Sequence, residues 1–429
     1  MLASEEALTS QSYYAASVRR PPAAPSLAGA ERADVCVVGG GYAGLSAAIE
    51  LARRGHSVIV LEGERVGWGA SGRNGGQALV GHASDDAIEQ QLGAADAKRA
   101  WNVTVEGLDL IRARIAEFGI DCDFVPGYLS LAVGERKARA LRQWFETAQR
   151  DYAYPHWRWI DHADVGNWIA SSRFHAGLHD SHSGHLHPLK YCLGLAQAAR
   201  ACGVRIFEHS RVTAIERGAA ARVKTVAGEV RCDFVLLAGN VYLGDLVPKL
   251  ESRIMPVGTY IVGTAPLPEA QAASLIRDRA AVCDTNFVLD YFRLSRDNRM
   301  LYGGRVSYST VTPPNLAQSM KARMRRVFPQ IDPDIAIEYQ WGGFVDITMN
   351  RAPDFGRVEP NIYYLQGFSG HGVVLAGMAG KLVADAIAGQ ASRFDLYARL
   401  SHHPFPGGRL LRTPALVLGM LYYRLRDLL

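Results

Sequence analysis

The chain has 429 residues, 47 Lys and Arg against 42 Asp and Glu, and a formal net charge of +5 with both signs interspersed, which excludes a dedicated nucleic-acid binder. That length exceeds what one hydrophobic core usually serves, so two intertwined domains are expected. Six scattered cysteines without a C-x-x-C pair, no secretory signal in residues 1–30 and no run of about 18 apolar residues read as a cytoplasmic protein without a disulfide framework or an integral membrane span.

Residues 1–29 form an N-terminal arm carrying Tyr13, Tyr14 and Arg19-Arg20-Pro21-Pro22. It reads either as an extended segment, laid on the surface or over a cofactor entrance, or as a disordered leader. Val35 to Val38 is a buried strand that runs into Gly39, Gly41 and Gly44, the G-x-G-x-x-G spacing, and then into a helix. The first glycine permits the turn, the second lets a pyrophosphate approach the backbone, and the third lets helix and strand pack. The helix N-terminus offers free N–H groups to the phosphates. Ser57 to Leu61 is a second strand, ended by Glu62, where an acid should take the adenosine ribose hydroxyls.

Gly67 to Gln77 is a glycine loop too irregular for a helix or strand. Apolar spacing predicts helix over 85–118, a strand over 128–133 and a charged amphipathic helix over 135–152. A helix follows over 188–202, opened by Pro188, then a strand over 204–207 in the first sheet. His185 and His187 precede that helix with no acid or cysteine cluster, so no metal site is expected. Val212 to Ile215 and Val223 to Val226 suggest a small meander. Phe234 to Leu237 is a buried strand entering Gly239. Strands dominate 254–306 apart from a helix near 269–278, and a basic helix spans 315–328. A strand over 363–366, the loop 367–372 and a helix over 373–389 follow.

Four glycine-rich approaches at 39–44, 67–77, 239 and 367–372 suit a long, partly aromatic dinucleotide, FAD rather than NAD. No second βαβ unit carrying its own G-x-G-x-x-G turn is found, so a flavin taking its hydride directly from substrate is expected. No cysteine stands in 67–77 or 367–372, which predicts non-covalent FAD.

The stretches 67–77 (Gly-Trp-Gly-Ala-Ser-Gly-Arg-Asn-Gly-Gly-Gln) and 366–372 (Gln-Gly-Phe-Ser-Gly-His-Gly) resemble the D-amino-acid-oxidase-like FAD-dependent oxidoreductases. Residues 184–188, 238–244 and 403–409 extend the resemblance over nearly the whole chain. It implies an α/β fold, with a Rossmann-type FAD-binding domain and a discontinuous, sheet-rich α+β substrate domain. The FAD-binding part is expected from 30–90, 183–245 and 346–429, the substrate part from 91–182 and 246–345.

The resemblance also implies roles. Gly39, Gly41, Tyr42, Ala43, Gly44 and Glu62 hold the AMP half, with Val212 near the adenine and Gly239 alongside. Gly69, Ser71, Gly72, Arg73 and Asn74 lie along the pyrophosphate and ribityl chain. Gly75, Gly76 and Gln77 reach the flavin ring, and Gly370, His371, Gly372 and Val373 cap its pyrimidine side. His371, Gln77 and Trp341 are the residues expected nearest the reaction.

The implied substrate is a small-molecule primary amine carrying a gamma-glutamyl amide, with oxygen as electron acceptor. Amino-acid or N-methyl-amine oxidation or dehydrogenation is a second reading, and a flavin-binding subunit of an electron-transfer complex a third. A carboxylate substrate would need an arginine, with Arg293, Arg305 and Arg351 as candidates. Tyr260, Tyr291, Phe292, Tyr302, Tyr308, Trp341, Phe344 and Phe368 offer aromatic groups for an amine site. The apolar, then basic stretch 414–429 offers a helix for peripheral or homo-oligomeric contact.

Overall fold

The computed structural model describes residues 12–286, 288–307 and 315–406. The C-terminal stretch 414–429 and Tyr308 lie outside the described residues.

The first sheet grows from β1 (Gly29–Val38), whose last four residues are buried. It pairs in parallel with β2 (Val58–Leu61) on one side and β10 (Gly228–Leu237) on the other. β7 (Arg205–Phe207) extends the sheet beyond β2. β17 (Ile362–Gln366) extends it beyond β10, and β16 (Asp354–Glu359) closes that edge antiparallel. The expected small meander is the hairpin of β8 (Ala214–Glu216) and β9 (Ala221–Lys224), hung on β10.

Near-continuous apolar strands need cover on both faces. The helices α2 (Tyr42–Arg53), α6 (Pro188–Ala201) and α9 (Gly372–Ile387) share one buried apolar cluster with Val35, Val37 and Val60. Gly380 lets α9 close on α2, since a Cβ there would sit 2.3 Å from the Ala43 carbonyl oxygen.

The second sheet is mostly antiparallel, in the order β15 (Ile337–Thr348), β11 (Ile254–Thr264), β14 (Met300–Ser307), β13 (Tyr291–Leu294), β12 (Ala281–Asp284), β4 (Val125–Ala132), β6 (Ala176–His185) and β3 (Gln77–Ala78), with β5 (Trp157–Ile160) also on β6. One face packs on α7 (Glu269–Leu275) and α8 (Leu316–Val327) through Leu129, Val262, Phe292 and Tyr302. The fold is therefore a Rossmann-type α/β layer joined to a discontinuous sheet-rich layer.

Two expectations are corrected by backbone detail. The helix read over 85–118 is two, α3 (Asp85–Leu92) and α4 (Ala94–Phe118), broken at Gly93 with φ +79°. α4 packs Trp101, Val103, Leu108 and Ile111 into the same cluster as α2 and α9, a cluster that also takes in Ala148, Tyr152 and Tyr154. The arm is neither extended over the surface nor a loose leader at Tyr13 and Tyr14. Those residues form the short helix α1 (Tyr13–Ala16), with Tyr14 fully buried against Trp341 and His187. The amphipathic helix over 135–152 is α5 (Glu135–Tyr152), as its spacing predicts.

Candidate active site

A trough of about 1300 Å³, counted with its open mouth, runs across the C-terminal ends of β1, β2 and β10. Gly39, Gly41, Tyr42, Ala43, Glu62, Gly69, Ser71, Asn74, Val212, Gly239, Gly370, Gly372 and Val373 line it. Gly39 has φ +115°, and a Cβ there would lie 2.6 Å from the Ala238 oxygen, so β1 turns directly beneath β10. Gly44 does not line the trough. Its hydrogen faces the Gly39 oxygen, which a Cβ would approach to 2.1 Å, so it sets how closely α2 follows the turn. Ser71 Oγ accepts the Tyr42 N–H at 3.0 Å, tying the second glycine loop to the start of α2.

Glu62 accepts the Gly40 N–H at 2.7 Å and the Glu64 N–H at 2.9 Å, one on each carboxylate oxygen. Burial pushes its carboxyl up, and those two backbone donors pull it back. Each oxygen keeps a lone pair for a vicinal diol, as an adenosine ribose presents. A glycine turn, a helix N-terminus and a diol-accepting acid, in that order along one trough, fit the AMP half of FAD.

The opposite end of the trough is shaped by Asp346 on β15, which the sequence reading did not single out. It is buried and accepts the Gly367 and Phe368 N–H groups, the latter at 3.1 Å. Burial pushes its carboxyl up to about 6. The signal was present, since a lone acid inside the apolar run Phe344-Val345-Asp346-Ile347 must answer to something buried. Trp68 and Tyr242 meet edge to face at 5.3 Å on the trough wall and were also missed.

The remaining candidate residues stand behind or beside the trough. Gly72 is buried with its hydrogen on the Gly67 oxygen, where a Cβ would come to 2.0 Å. The Arg73 guanidinium lies 4.1 Å from the Trp68 ring, and its carbonyl accepts Trp341 Nε1–H at 2.9 Å. Trp341 is fully buried with Tyr14, Leu189 and Leu301 and is not part of the trough lining. Gly75 and Gly76 face Tyr291 and Arg293, while Gln77 donates to the Val282 carbonyl at 2.9 Å. His371 belongs to the trough loop, but its side chain lines a neighbouring chamber. Its Nδ1 is buried without a partner, and burial pushes the imidazole down to about 4.

Tyr260, Phe292 and Tyr302, expected as walls for an amine, lie in the core on the outer face of the second sheet. Of the three arginines considered for a carboxylate, Arg293 is buried and already donates to Gly75, Leu186 and Tyr14. The side chain of Arg305 lies outside the described residues. His185 and His187 are held neutral, pushed down to about 3 by burial and by Arg293.

Fold and trough together define a flavin-dependent oxidoreductase. The pattern of the DAO family, described as FAD dependent oxidoreductase, matches residues 34–386. The chain is 43% identical over 418 residues to gamma-glutamylputrescine oxidoreductase of Escherichia coli, covering 97% of this chain and 98% of that protein. It is 42% identical to the probable oxidoreductase OrdL of Haemophilus influenzae, covering 97% of each. The crystal structure of glycine oxidase from Geobacillus kaustophilus superposes with a TM-score of 0.72 at 23% identity, over 87% of this chain and 99% of that one. The chain belongs to the DAO family of FAD-dependent oxidoreductases. No single helix among the described residues is long and apolar enough to cross a membrane.

Glu62→Gln keeps one acceptor oxygen but sets an NH₂ group against a backbone N–H. FAD affinity is expected to fall about 10- to 100-fold, the range for losing a charge-assisted hydrogen bond. Equilibrium dialysis of the apoprotein with FAD measures it.

Proposed function

We propose that the protein oxidises a primary amine bearing a gamma-glutamyl amide, gamma-glutamylputrescine itself being the favoured substrate. The observation that carries this reading is the 43% identity over 97% of the chain to the Escherichia coli enzyme of that name. Bound FAD supplies the hydride acceptor. The amine's α-carbon gives up a hydride and its nitrogen a proton, and the imine takes up water to yield aldehyde and ammonia. Oxygen takes the two electrons and two protons as hydrogen peroxide. The scattered thiols, all free among the described residues, support a cytoplasmic setting.

In this reading Glu62 and the glycine turn hold the AMP half. Ser71 and Asn74 follow the pyrophosphate, and residues 75–77 and 370–373 flank the ring. The N-terminus of α9 faces the pyrimidine side, where its amides favour negative charge. Engagement of Arg293 by three internal acceptors disfavours it as the anchor for an amino-acid carboxylate.

FAD is held without a covalent bond, since no cysteine lines the trough among the described residues. Acid precipitation is expected to leave the flavin in the supernatant; colour retained by the denatured chain would contradict it.

Anaerobic stopped-flow reduction tests the substrate. Gamma-glutamylputrescine is expected to reduce the flavin at least about tenfold faster than putrescine, whose second ammonium is costly to desolvate. Equal rates would overturn the assignment. The limiting rate is expected to rise with pH and level off, with an inflection below about 10, because only the neutral amine releases hydride. His371 is already neutral above about pH 5, so His371→Asn is expected to leave that inflection in place.

A further inference from the structure

Beside the trough lies a second chamber of about 1020 Å³, counted with its mouth. It begins where the flavin loops end. β3 carries the chain from Gln77 into the wall segment Leu79–Asp86, and His371 enters from the loop whose Gly370 and Gly372 line the trough.

Its walls are aromatic. Trp101, Trp144 and Trp157 face it together with Tyr128. Trp101 is locked by stacking on Tyr152 at 4.6 Å and 2°, and it meets Trp157 edge to face at 5.6 Å. The polar lining comprises Asp85, hydrogen-bonded to His82 at 2.7 Å, with His371, three serines and two further carboxylates. Asp180 is buried and held by Tyr154, Ser183 and the His182 N–H, with no lysine or arginine in ion-pair contact among the described residues. Asp86 is exposed at the mouth, also without an ion pair among the described residues. Among the described residues no lysine or arginine lines the chamber. Two buried polar atoms on its lining residues, Trp101 Nε1 and His371 Nδ1, have no partner.

Aromatic faces and carboxylates without a counter-cation attract an organic cation and repel a carboxylate. We infer that this chamber captures the aliphatic ammonium arm of the substrate, entering past Asp86 along the wall that Trp144 and Trp157 form and reaching toward His371, with any carboxylate of the ligand left outside. The inference rests on the amine-oxidising reading and assigns its substrate arm a place. Capture precedes proton loss, so it is read in Kd and KM, whereas the reduction pH profile reads the later step. The outer-face aromatics Phe292 and Tyr302 take no part.

The test uses the FAD-loaded protein and (4-hydroxybutyl)trimethylammonium, a cation without a nitrogen lone pair that cannot be oxidised. Its neutral isostere, 5,5-dimethylhexan-1-ol, is the control. Calorimetric titration is expected to show the cation binding at least about tenfold more tightly than the alcohol. Trp144→Leu and Trp157→Leu should each weaken the cation about five- to tenfold while FAD content is kept. Asp86→Asn, an exposed change that leaves the core untouched, should weaken it about two- to fivefold, and added salt should shrink that difference. Equal binding of cation and alcohol, or variants that bind the cation like the parent, would overturn the inference. Cation binding that maps to these residues in a protein that oxidises no amine would uphold the chamber and sink the amine-oxidase reading. Normal gamma-glutamylputrescine turnover with unchanged KM in both tryptophan variants would do the reverse.

Discussion

Gly44→Val is expected to yield protein that retains almost no FAD and melts well below the parent. The added Cβ would lie 2.1 Å from the Gly39 oxygen and 3.0 Å from Val37 Cγ1. Neither neighbour can yield. Gly39 is pinned by its own approach to Ala238, and Val37 is a fully buried residue of β1. Overpacking of this kind costs about 1–3 kcal/mol or more where the backbone cannot shift. The strain also falls on the turn proposed to present the α2 amides to phosphate. Gly166, with nothing within 4 Å of an added Cβ, provides the control, and Gly166→Ala is expected to match the parent. The ratio of flavin to protein absorbance and a thermal melt check both. A Gly44→Val protein with full flavin content would show that α2 does not sit where the trough needs it.

Arg293→Met is expected to cost at least about 3 kcal/mol in stability and to slow flavin reduction by any amine. The guanidinium donates to the Gly75 carbonyl at 2.8 Å, and to Leu186 O and Tyr14 OH at 3.1 Å each. Hydrogen bonds from charged donors contribute about 1.5–3 kcal/mol apiece; the desolvation of Arg293 relieved by its removal offsets part of that loss. Gly75 belongs to the loop proposed to reach the flavin ring, so its displacement should appear in the reduction rate as well as in the melt. A variant with unchanged melting but a raised KM only for carboxylate-bearing substrates would make Arg293 a ligand contact instead.

The turn, helix and acid proposed to hold the nucleotide half were legible as elements because their signals are local. β1, the glycine turn, α2, β2 and Glu62 occupy one short continuous stretch, and each carries its own mark. The aromatic chamber was not legible for the opposite reason. Its residues come from 79–86, 101, 128, 144, 157, 180 and 371, and a tryptophan facing a chamber has the same helical spacing as one facing a core. Phe292 and Tyr302 illustrate the converse. They stack across β13 and β14 at 5.3 Å, but on the sheet face that meets α8, which depends on the order of strands far apart in sequence. The break at Gly93 was visible as a glycine, yet the apolar period runs through it, and only the left-handed backbone turns one helix into two.

Tyr14 has a consequence for how the chain is made. Its ring rests on Trp341 and its hydroxyl on Arg293, 279 positions further along. The segment around Tyr14 must therefore wait in solvent until the chain has been synthesised beyond Trp341 and both β13 and β15 have joined the second sheet. Such long-range closure is slow, and it comes late. The composition of the waiting stretch suits the delay. Ser17, Arg19, Arg20, Pro21 and Pro22 follow the two tyrosines, and charge and proline both discourage strand pairing with other nascent chains.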